Sequence, residues 1–491
     1  MSAAAVCLAI IFLIVAVGAG IGFLAGVRRR MDLEQWTVAG RGFGVLLVFL
    51  LMAGEVYTTF AFLGLSGWTY SRGGPTLYAL AYLTLAYVVS FFILPPIWEV
   101  GRRHGMQTQS DFFRVRYGSR YLTAFVCTVG IAAFVPYLQL QITGVGIIVS
   151  IASFDSIGRT PAMAVAVALL VGFVFAGGVR AVAWVSVLKD ALMLIAAVAI
   201  GIGVPLLCFG GIGPMFAALA AARPTHLTMP GATTNLGHAW YVSTVLLTSL
   251  GFYMWPHAFG AAFTARSADT LRRNAVVMPL YTLSLAFIFL AGFTAVLAIP
   301  GLANGDLAML TLVRRTFPPW FLGVVGGAGA LTAMVPAAIF ILTASTLFAK
   351  NLYRPLIAPT MTDDQVARLA RGTVVVLGFL SLALAMFTST TLVSLLLIGY
   401  AGVTQFFPGV VLGLYWRRIT TSAVFTGVVA GVAMAVFLML AHRDPWFGVS
   451  AGFLALCLNF VLVVLVSLLA PAPNTDSDAS PGTFELRPSV G

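Results

Sequence analysis

Long apolar runs alternate with short polar segments along nearly the whole chain. A helix that crosses a membrane needs about 20 mostly apolar residues, so each run predicts a transmembrane α-helix. The run at 161–178 is short, and the division between 371–389 and 393–415 could fall elsewhere. The pattern predicts an all-α polytopic membrane protein with about 13 transmembrane helices. The spans are 3–27, 43–65, 76–99, 121–152, 161–178, 182–209, 238–264, 275–300, 319–349, 371–389, 393–415, 420–441 and 447–470.

The basic residues give these spans an orientation, because cytoplasmic loops are enriched in Lys and Arg. With the N-terminus outside, twenty of the 27 Lys and Arg residues lie in inner segments and six in outer segments, and Lys189 inside a span completes the 27. This distribution predicts an N-out, C-in protein of the plasma membrane, most simply the cytoplasmic membrane of a bacterium.

The composition agrees with a membrane protein. The 491 residues are 60% hydrophobic and only 9% charged, whereas soluble domains have about 25% charged residues. The basic inner loops explain the net charge of +12, so no nucleic-acid partner is expected. The sequence has no phosphate-binding loop and no metal-ligand motif, and we expect no cofactor. We expect a single transmembrane transporter domain, 1–470, followed by a disordered cytoplasmic tail, 471–491.

The second span carries a carboxylate at membrane depth. Glu55 lies beside Gly54 and is followed by Tyr57, Thr58 and Thr59. An ionisable residue in a membrane usually faces a cavity or a partner, and a small residue with nearby hydroxyls indicates a broken helix that lines a polar site. The alternative is a structural carboxylate that pairs with another helix.

The seventh span is interrupted as well. Tyr253, Trp255, Pro256 and His257 follow Gly251, and the proline removes one helical hydrogen bond. His257 could bind a carboxylate or carry a proton, and the alternative is an ordinary kink with a hydrogen-bonded histidine.

Broken helices at corresponding positions of two halves are typical of inverted-repeat transporters. The breaks in the second and seventh spans therefore predict a 5+5 inverted repeat of helices 2–6 and 7–11. The first repeat is 43–209 and the second is 238–415. A first helix at 3–27 and the last helices at 420–470 are then peripheral.

Two other spans contain polar residues. In the sixth, Lys189 precedes Asp190, and because adjacent helical residues point about 100° apart we expect Asp190 to meet a different neighbour. Lys189 could face the helix bundle or extend to the inner membrane surface. In the fourth, Tyr137 and Gln141 share one face of a helix.

Six motifs, in this order, resemble the sodium:solute symporter family over nearly the whole chain. The versions at 54–68 and 253–257 are most similar to its monocarboxylate permease branch, whose members take up lactate, pyruvate and sometimes alanine. The resemblance implies a leucine-transporter-type fold. The motifs are WTVAGRGFG (36–44), FLGLSGW (62–68), GMQTQSDFFRVRYGSR (105–120), GGVRAVAWVSVLKD (177–190), YMWPHAFGAAFTARSADTLRRN (253–274) and FAKNLYRP (348–355).

The resemblance also implies a coupling-ion site. The sodium ligands of the family correspond to the carbonyls of Gly54 and Tyr57 and to Thr332, Val335 and Pro336. Valine and proline offer no side-chain ligand, and Ser186 replaces an acidic residue that is common in the family. We therefore expect that Lys189 supplies the positive charge, and that Lys189 or Glu55 couples a proton to transport.

The expected function is uptake of small monocarboxylates by alternating access, with H⁺ or Na⁺ as the coupling ion.

 We expect the amide ends of the two broken helices to hold the substrate carboxylate, together with Thr58, Thr59 or His257. Tyr57, Tyr137, Gln141, Tyr253 and Trp255 would shape the pocket. The nearest alternative is a sodium-coupled importer of an amino acid or another organic solute. A membrane sensor and a membrane enzyme are the alternatives from other classes, and no nucleophile–base pair at membrane depth supports an enzyme. The sequence does not indicate an oligomeric state.

Overall fold

The computed structural model describes residues 2–26, 33–387 and 390–471. The predicted tail lies outside these ranges from residue 472 onward. The described residues contain helices and two isolated β-bridges but no named strand. The helices of the first half are α1 Ala3–Gly26, α2 Leu33–Val38, α3 Val45–Ala53, α4 Leu65–Arg72, α5 Tyr78–Arg103, α6 Gln109–Tyr117, α7 Arg120–Ala152, α8 Arg159–Phe209 and α9 Ile212–Ala222.

The second half is helical in the same way. Short 3₁₀ segments and two π-helical segments, Phe60–Gly64 and Leu347–Tyr353, connect some of the α-helices. The helices are α10 His238–Gly251, α11 Pro256–Ala262, α12 Ala268–Thr282, α13 Leu285–Ala298, α14 Ala308–Thr316, α15 Pro319–Thr346, α16 Arg354–Leu356, α17 Asp363–Phe387, α18 Leu392–Val403, α19 Phe407–Tyr415, α20 Thr421–Leu440 and α21 Ala451–Leu469.

Ten helical segments of the described chain are long and apolar enough to cross a membrane. Two predicted spans, 43–65 and 238–264, are absent from these ten because each is divided into shorter helices. A further difference concerns 161–178 and 182–209, which lie in the single helix α8 instead of two separate helices. The structure thus has interrupted and merged helices where the apolar pattern predicts thirteen separate spans.

Helix α15 lies at the centre of the bundle, and both α1 and α8 pack against it. Glycines allow α1 to approach closely. A Cβ atom at Gly323 would lie 3.1 Å from the backbone of Cys7, and one at Gly327 would lie 2.7 Å from the side chain of Ile14. Small residues have this role at many helix contacts in membranes, where close packing replaces the hydrophobic effect.

The two interrupted spans are joined at one end. The Phe43 amide donates to the Thr264 carbonyl at 3.0 Å, and the Arg266 amide donates to the Phe43 carbonyl at 3.0 Å. These bonds form a parallel β-bridge between Phe43 and Ala265. The residues just before α3 and just after α11 are therefore held side by side, which fixes the two interrupted spans relative to each other.

Candidate functional site

The first element of the site is the interruption in the second predicted span. Helix α3 ends at Ala53, and helical structure resumes at the π-helical segment Phe60–Gly64. Between them, the Glu55 amide bonds to a carbonyl three residues earlier instead of four. Backbone carbonyls at such an interruption need partners from elsewhere in the protein, since lipid offers none. The carbonyls of Gly54 and Tyr57 have such a partner.

Lys189 of α8 is this partner. Its side chain is fully buried, and Nζ donates to the Gly54 carbonyl at 2.8 Å and to the Tyr57 carbonyl at 3.0 Å. Nζ also lies 2.9 Å from Oδ1 of Asp190. The three N–H donors of the ammonium group therefore face three oxygen atoms. Lys189 connects α8 to the interruption and does not extend to the membrane surface.

The contact between Lys189 and Asp190 corrects the sequence interpretation, which placed Asp190 against a different neighbour. The Cα–Cβ bonds of adjacent helical residues do point in different directions. The lysine side chain, however, has a flexible four-carbon stem. It is long enough for the ammonium group to turn back toward the carboxylate of the next residue.

The sodium position implied by the family resemblance involves the same two carbonyls. An ammonium group that donates to both of them takes the place of a metal ion and repels a second cation. Val335 and Pro336 have no side-chain oxygen, while the buried Thr332 hydroxyl has no hydrogen-bond partner. These residues do not fit a sodium ion at this position. Within the described ranges, no cluster of three His, Cys, Asp or Glu residues could hold a metal.

The second element of the site is the interruption in the seventh predicted span. Helix α10 ends at Gly251, a 3₁₀ turn covers Phe252–Met254, and Trp255 is extended before α11 starts at Pro256. Proline fits the first position of a helix because that position needs no amide donor. The freed Met254 carbonyl accepts a 2.7 Å hydrogen bond from Nε2 of Gln109.

Glu55 and His257 meet between the two interruptions. Oε2 of Glu55 lies 3.7 Å from Nε2 of His257, which is beyond hydrogen-bonding distance. Glu55 is 6% exposed and His257 is 4% exposed. Among the residues that the structure describes, neither carboxylate oxygen of Glu55 has a hydrogen-bond partner, and neither does Nδ1 of His257. The pair is close enough for one bound group to contact both side chains.

Unpaired polar atoms collect around this pair. Oε1 of Gln141 accepts a hydrogen bond from the Thr59 amide at 3.2 Å, which leaves the Gln141 amide nitrogen unpaired. The hydroxyls of Thr58 and Thr59 and the indole nitrogen of Trp255 are also buried without a partner. Buried polar groups are rarely left unpaired in proteins. Their concentration here means that a polar ligand or water could find hydrogen-bond partners at this position.

Aromatic side chains enclose the other side of the site. The Tyr137 ring lies 4.9 Å from the Trp255 ring and 4.1 Å from the Phe340 ring, as measured between centroids. Phe340 also lies 4.5 Å from His257, and Phe134 lies 5.8 Å from Trp255. The site therefore has a polar side and an apolar side.

The structure separates some of the predicted site residues from this centre. The Tyr57 hydroxyl bonds to Ser284, and the Tyr57 ring packs edge-on against Tyr281 at 5.3 Å. Tyr253 packs against Phe252 at 4.9 Å. The residues that the structure brings together are Glu55, Thr58, Thr59, Tyr137, Gln141, Trp255 and His257.

Sequence reasoning missed Phe340, Phe134, Gln109 and the pairing of Asp190 with Lys189. Phe340 follows Pro336 by one helical turn on α15, so its proximity to a proline was the available signal. Phenylalanine is otherwise unremarkable in an apolar helix, and nothing distinguishes Phe134 from lipid-facing residues in the sequence. Gln109 lies in the polar motif at 105–120, and nothing in that motif indicates a contact with the distant Met254.

A polar cluster lies where α6 contacts the π-helical segment Leu347–Tyr353 at the end of the α15 span. Oδ2 of Asp111 accepts hydrogen bonds from Lys350 at 2.7 Å and from the Gln107 amide at 2.9 Å, and Oδ1 accepts from Asn351 at 2.9 Å. Burial opposes ionisation, but the ammonium and these donors outweigh it and hold the pKa of Asp111 below its usual value. A cavity of about 30 Å³, lined by Thr108 among others, lies between this cluster and His257.

Most of the chain matches known transporters in sequence. Residues 36–431 match the model of the sodium:solute symporter family. An uncharacterized symporter of Bacillus subtilis, YhjB, is 42% identical over 94% of this chain and 96% of its own length. A monocarboxylate transport permease protein of Rhizobium johnstonii is 28% identical over 92% of this chain and 94% of its own length.

The fold matches solved transporter structures as well. The substrate-bound, outward-open structure of a Na⁺-coupled sialic acid symporter has a TM-score of 0.79 and 16% sequence identity, and the match covers 95% of this chain and 99% of that one. Identity at this level establishes the fold alone. The fold is of the leucine-transporter type, and the chain is a multi-pass membrane protein that acts as a transporter and not as an enzyme.

Proposed function

Because the chain belongs to the sodium:solute symporter family, we propose that it imports small monocarboxylates such as lactate or pyruvate together with a proton. The observation that carries this proposal is the ammonium group of Lys189 on the carbonyls of Gly54 and Tyr57. A charged lysine holds the broken helix where a sodium ion is expected, which supports a proton as the coupling ion.

The donors at the site suit a carboxylate. The hydroxyls of Thr58 and Thr59, the amide nitrogen of Gln141 and the indole nitrogen of Trp255 are buried and unpaired. All four can donate hydrogen bonds. A carboxylate has two oxygens that accept several such bonds. The Rhizobium relative, whose name describes monocarboxylate transport, supports this class of substrate.

Protonation of Glu55 can couple the binding of a proton to the binding of the substrate. Two negative charges 4 Å apart repel by about 4 kcal/mol at an effective dielectric constant of 20, which weakens binding roughly a thousandfold. Glu55 lies 3.7 Å from His257 at the centre of the site, so a bound carboxylate lies near it. When Glu55 carries a proton, the repulsion disappears and its hydroxyl can donate a hydrogen bond. Substrate and proton therefore favour each other's binding.

The proposed orientation and repeats follow the sequence prediction. With the N-terminus outside, Asp111 and Lys350 lie on the cytoplasmic side of the membrane and Asp306 lies on the exterior side. The first repeat, 43–209, and the second, 238–415, each contain one interrupted helix. The β-bridge between Phe43 and Ala265 supports this pairing, because it joins the two repeats next to their interruptions.

A sodium-coupled symporter of an amino acid or another organic solute is the second candidate. The fold similarity to a Na⁺-coupled sialic acid symporter favours it. In that case the sodium ion binds away from the carbonyls that Lys189 occupies, and a proton gradient alone does not drive uptake.

The test is uptake of labelled lactate and pyruvate by purified protein in liposomes. An inward proton gradient and an inward sodium gradient are imposed separately, and protein-free liposomes measure the leak of the uncharged acids. We expect accumulation above the leak with the proton gradient alone. Accumulation only with sodium would establish the second candidate, and uptake of neither acid under either gradient would exclude monocarboxylate transport.

A further inference from the structure

Phe340 borders the candidate site from α15 and has no polar atom with which to bind a ligand. Its side chain is fully buried. Its ring centroid lies 4.1 Å from that of Tyr137, 4.5 Å from that of His257 and 5.6 Å from that of Phe134. Phe340 therefore contributes volume and an apolar surface at the centre of the protein.

The polar and apolar sides of the site define how an acid can lie in it. The unpaired donors of Thr58, Thr59 and Gln141 lie on the side of the first interruption. The rings of Tyr137 and Phe340 lie against His257 on the side of the second. A carboxylate held by the donors places its hydrocarbon chain toward the rings, because apolar groups gain from contact with them.

Other walls of the site have little freedom to move. A Cβ atom at Gly144 would lie 2.1 Å from the Thr59 side chain, so α7 already presses against the donor side. A Cβ atom at Gly399 would lie 2.4 Å from the Trp255 ring, so α18 presses against the indole. Phe340 packs against the Tyr137 and His257 rings from α15, so its volume sets how much room a substrate chain has beside these rings.

We propose that Phe340 is a specificity-determining residue that limits the length of the hydrocarbon chain of the transported acid. This inference rests on the proposed function. According to this inference, the Phe340 ring is the group that restricts transport to short acids. A smaller side chain at position 340 should therefore admit longer acids. Apolar cavities on the order of 150 Å³ can take up a ligand as large as benzene.

The test compares Phe340→Ala with the wild type in the same liposomes, using unbranched 2-hydroxy acids of three to eight carbons. For each acid, kcat/KM is divided by the value for lactate. Each additional methylene that a pocket accepts changes this ratio by about 10-fold or more. We expect Phe340→Ala to raise the ratio for the six-carbon acid by at least about 10-fold. Phe340→Leu should give a smaller rise in the same direction.

Phe289→Ala is the matched control, because Phe289 is also a buried phenylalanine but lies on α13 near Leu77 and Phe216. It should leave the chain-length profile unchanged. Size-exclusion chromatography and thermal unfolding identify variants that fail to fold. An unchanged profile in a folded, active Phe340→Ala or Phe340→Leu protein would overturn the inference while the proposed function stands. Absence of all acid uptake by the wild type would overturn both.

Discussion

The two interrupted helices are held open in different ways. At the first interruption, the ammonium group of Lys189 donates to the carbonyls of Gly54 and Tyr57 at 2.8 and 3.0 Å. At the second, the neutral side-chain amide of Gln109 donates to the Met254 carbonyl at 2.7 Å. Both holding side chains are buried. Every interrupted helix in a membrane needs such donors, but only one of these two donors carries a charge.

Under the proposed function, this difference distinguishes an interruption held by a neutral amide from one held by a side chain of a type that can carry a proton. The amide of Gln109 keeps its hydrogens at any physiological pH, whereas a lysine can lose its proton and with it one donor and the charge. Only two of the 27 basic residues are lysines, Lys189 and Lys350. Arginine stays protonated in proteins, so the residue type at position 189 is one that permits proton release.

Replacement of Lys189 should have the largest effect. In Lys189→Ala, Asp190 remains as a buried charge without its partner, and breaking a buried pair in this way costs about 3–5 kcal/mol. Lys189→Arg keeps the charge but cannot release a proton, and we expect proton-driven accumulation to fall about 100-fold in a protein that still folds. Uptake under an inward proton gradient measures both variants.

Lys350→Arg is the matched control for the lysine substitutions. Lys350 pairs with Asp111 of α6 near the end of the α15 span, and arginine can also pair with a carboxylate there. Proton-driven uptake should remain within about twofold of the wild type. Full accumulation by Lys189→Arg would show that the first interruption needs only a positive charge. Proton release at position 189 would then have no part in transport.

Glu55→Gln should have the next largest effect. Glutamine has nearly the shape of a protonated glutamate but cannot exchange a proton. We expect proton-driven accumulation to fall by on the order of 10-fold per pH unit of gradient, because one pH unit is worth about 1.4 kcal/mol per coupled proton. Exchange of labelled for unlabelled substrate at equal pH should continue, since it needs no net proton movement. Glu99→Gln is the control, and loss of exchange together with accumulation would argue for a binding role alone.

The architecture of the site could be predicted from sequence to the extent that it rests on single unusual residues. A carboxylate at position 55 and a Trp-Pro-His segment at 255–257 are exceptions in apolar runs, and the structure places Glu55 and His257 3.7 Å apart. Helix α8 was predicted as two spans because Gly and Arg at 177–180 resemble a loop. Sequence pattern cannot show that the backbone continues as a helix there.

Contacts between distant residues could not be predicted from sequence. Gln109 and Met254 are 145 residues apart, and neither is unusual for its surroundings. The contact of Asp190 with Lys189 was missed because helical periodicity gives the direction of the Cα–Cβ bond. It does not give the position of the terminal group of a long side chain. Phe340 is one phenylalanine among 37. Its position against Tyr137 and His257 depends on how α15 packs between α7 and the second interruption.

Gln109→Ala tests the neutral interruption and should have a smaller effect. It leaves the Met254 carbonyl unpaired, which costs about 1–3 kcal/mol. We expect a lower unfolding temperature and uptake reduced by up to about 10-fold, while the pH dependence of uptake stays that of the wild type. Gln365→Ala, at an exposed helix start, is the control. A changed pH dependence in Gln109→Ala would remove the distinction between the two interruptions.

The smallest effect on uptake is expected at Asp306, which contacts α4, the second half of the first interrupted helix. A Cβ atom at Gly67 of α4 would lie 2.7 Å from the Asp306 amide nitrogen, and Oδ2 of Asp306 accepts a hydrogen bond from the Leu392 amide at 3.2 Å. Burial raises the pKa of this carboxyl from 3.8 to about 6, although the Leu392 amide and the charge of Arg159 act in the opposite direction. The first interrupted helix thus has a second titratable contact.

The sign of its effect on stability follows from this raised pKa. Between about pH 4 and 6 the folded protein holds the Asp306 proton more tightly than the unfolded chain does, so this group makes stability fall as the pH rises through that window. Asp306→Asn keeps the acceptor oxygen and removes the titration. It should raise stability at pH 7.5 by on the order of 2 kcal/mol and flatten its dependence between pH 5 and 7.5. Thermal unfolding at both pH values measures this, with the exposed Asp269→Asn as the control. An unchanged pH dependence in Asp306→Asn would leave Lys189 and Glu55 as the groups that make the first interruption sensitive to protons.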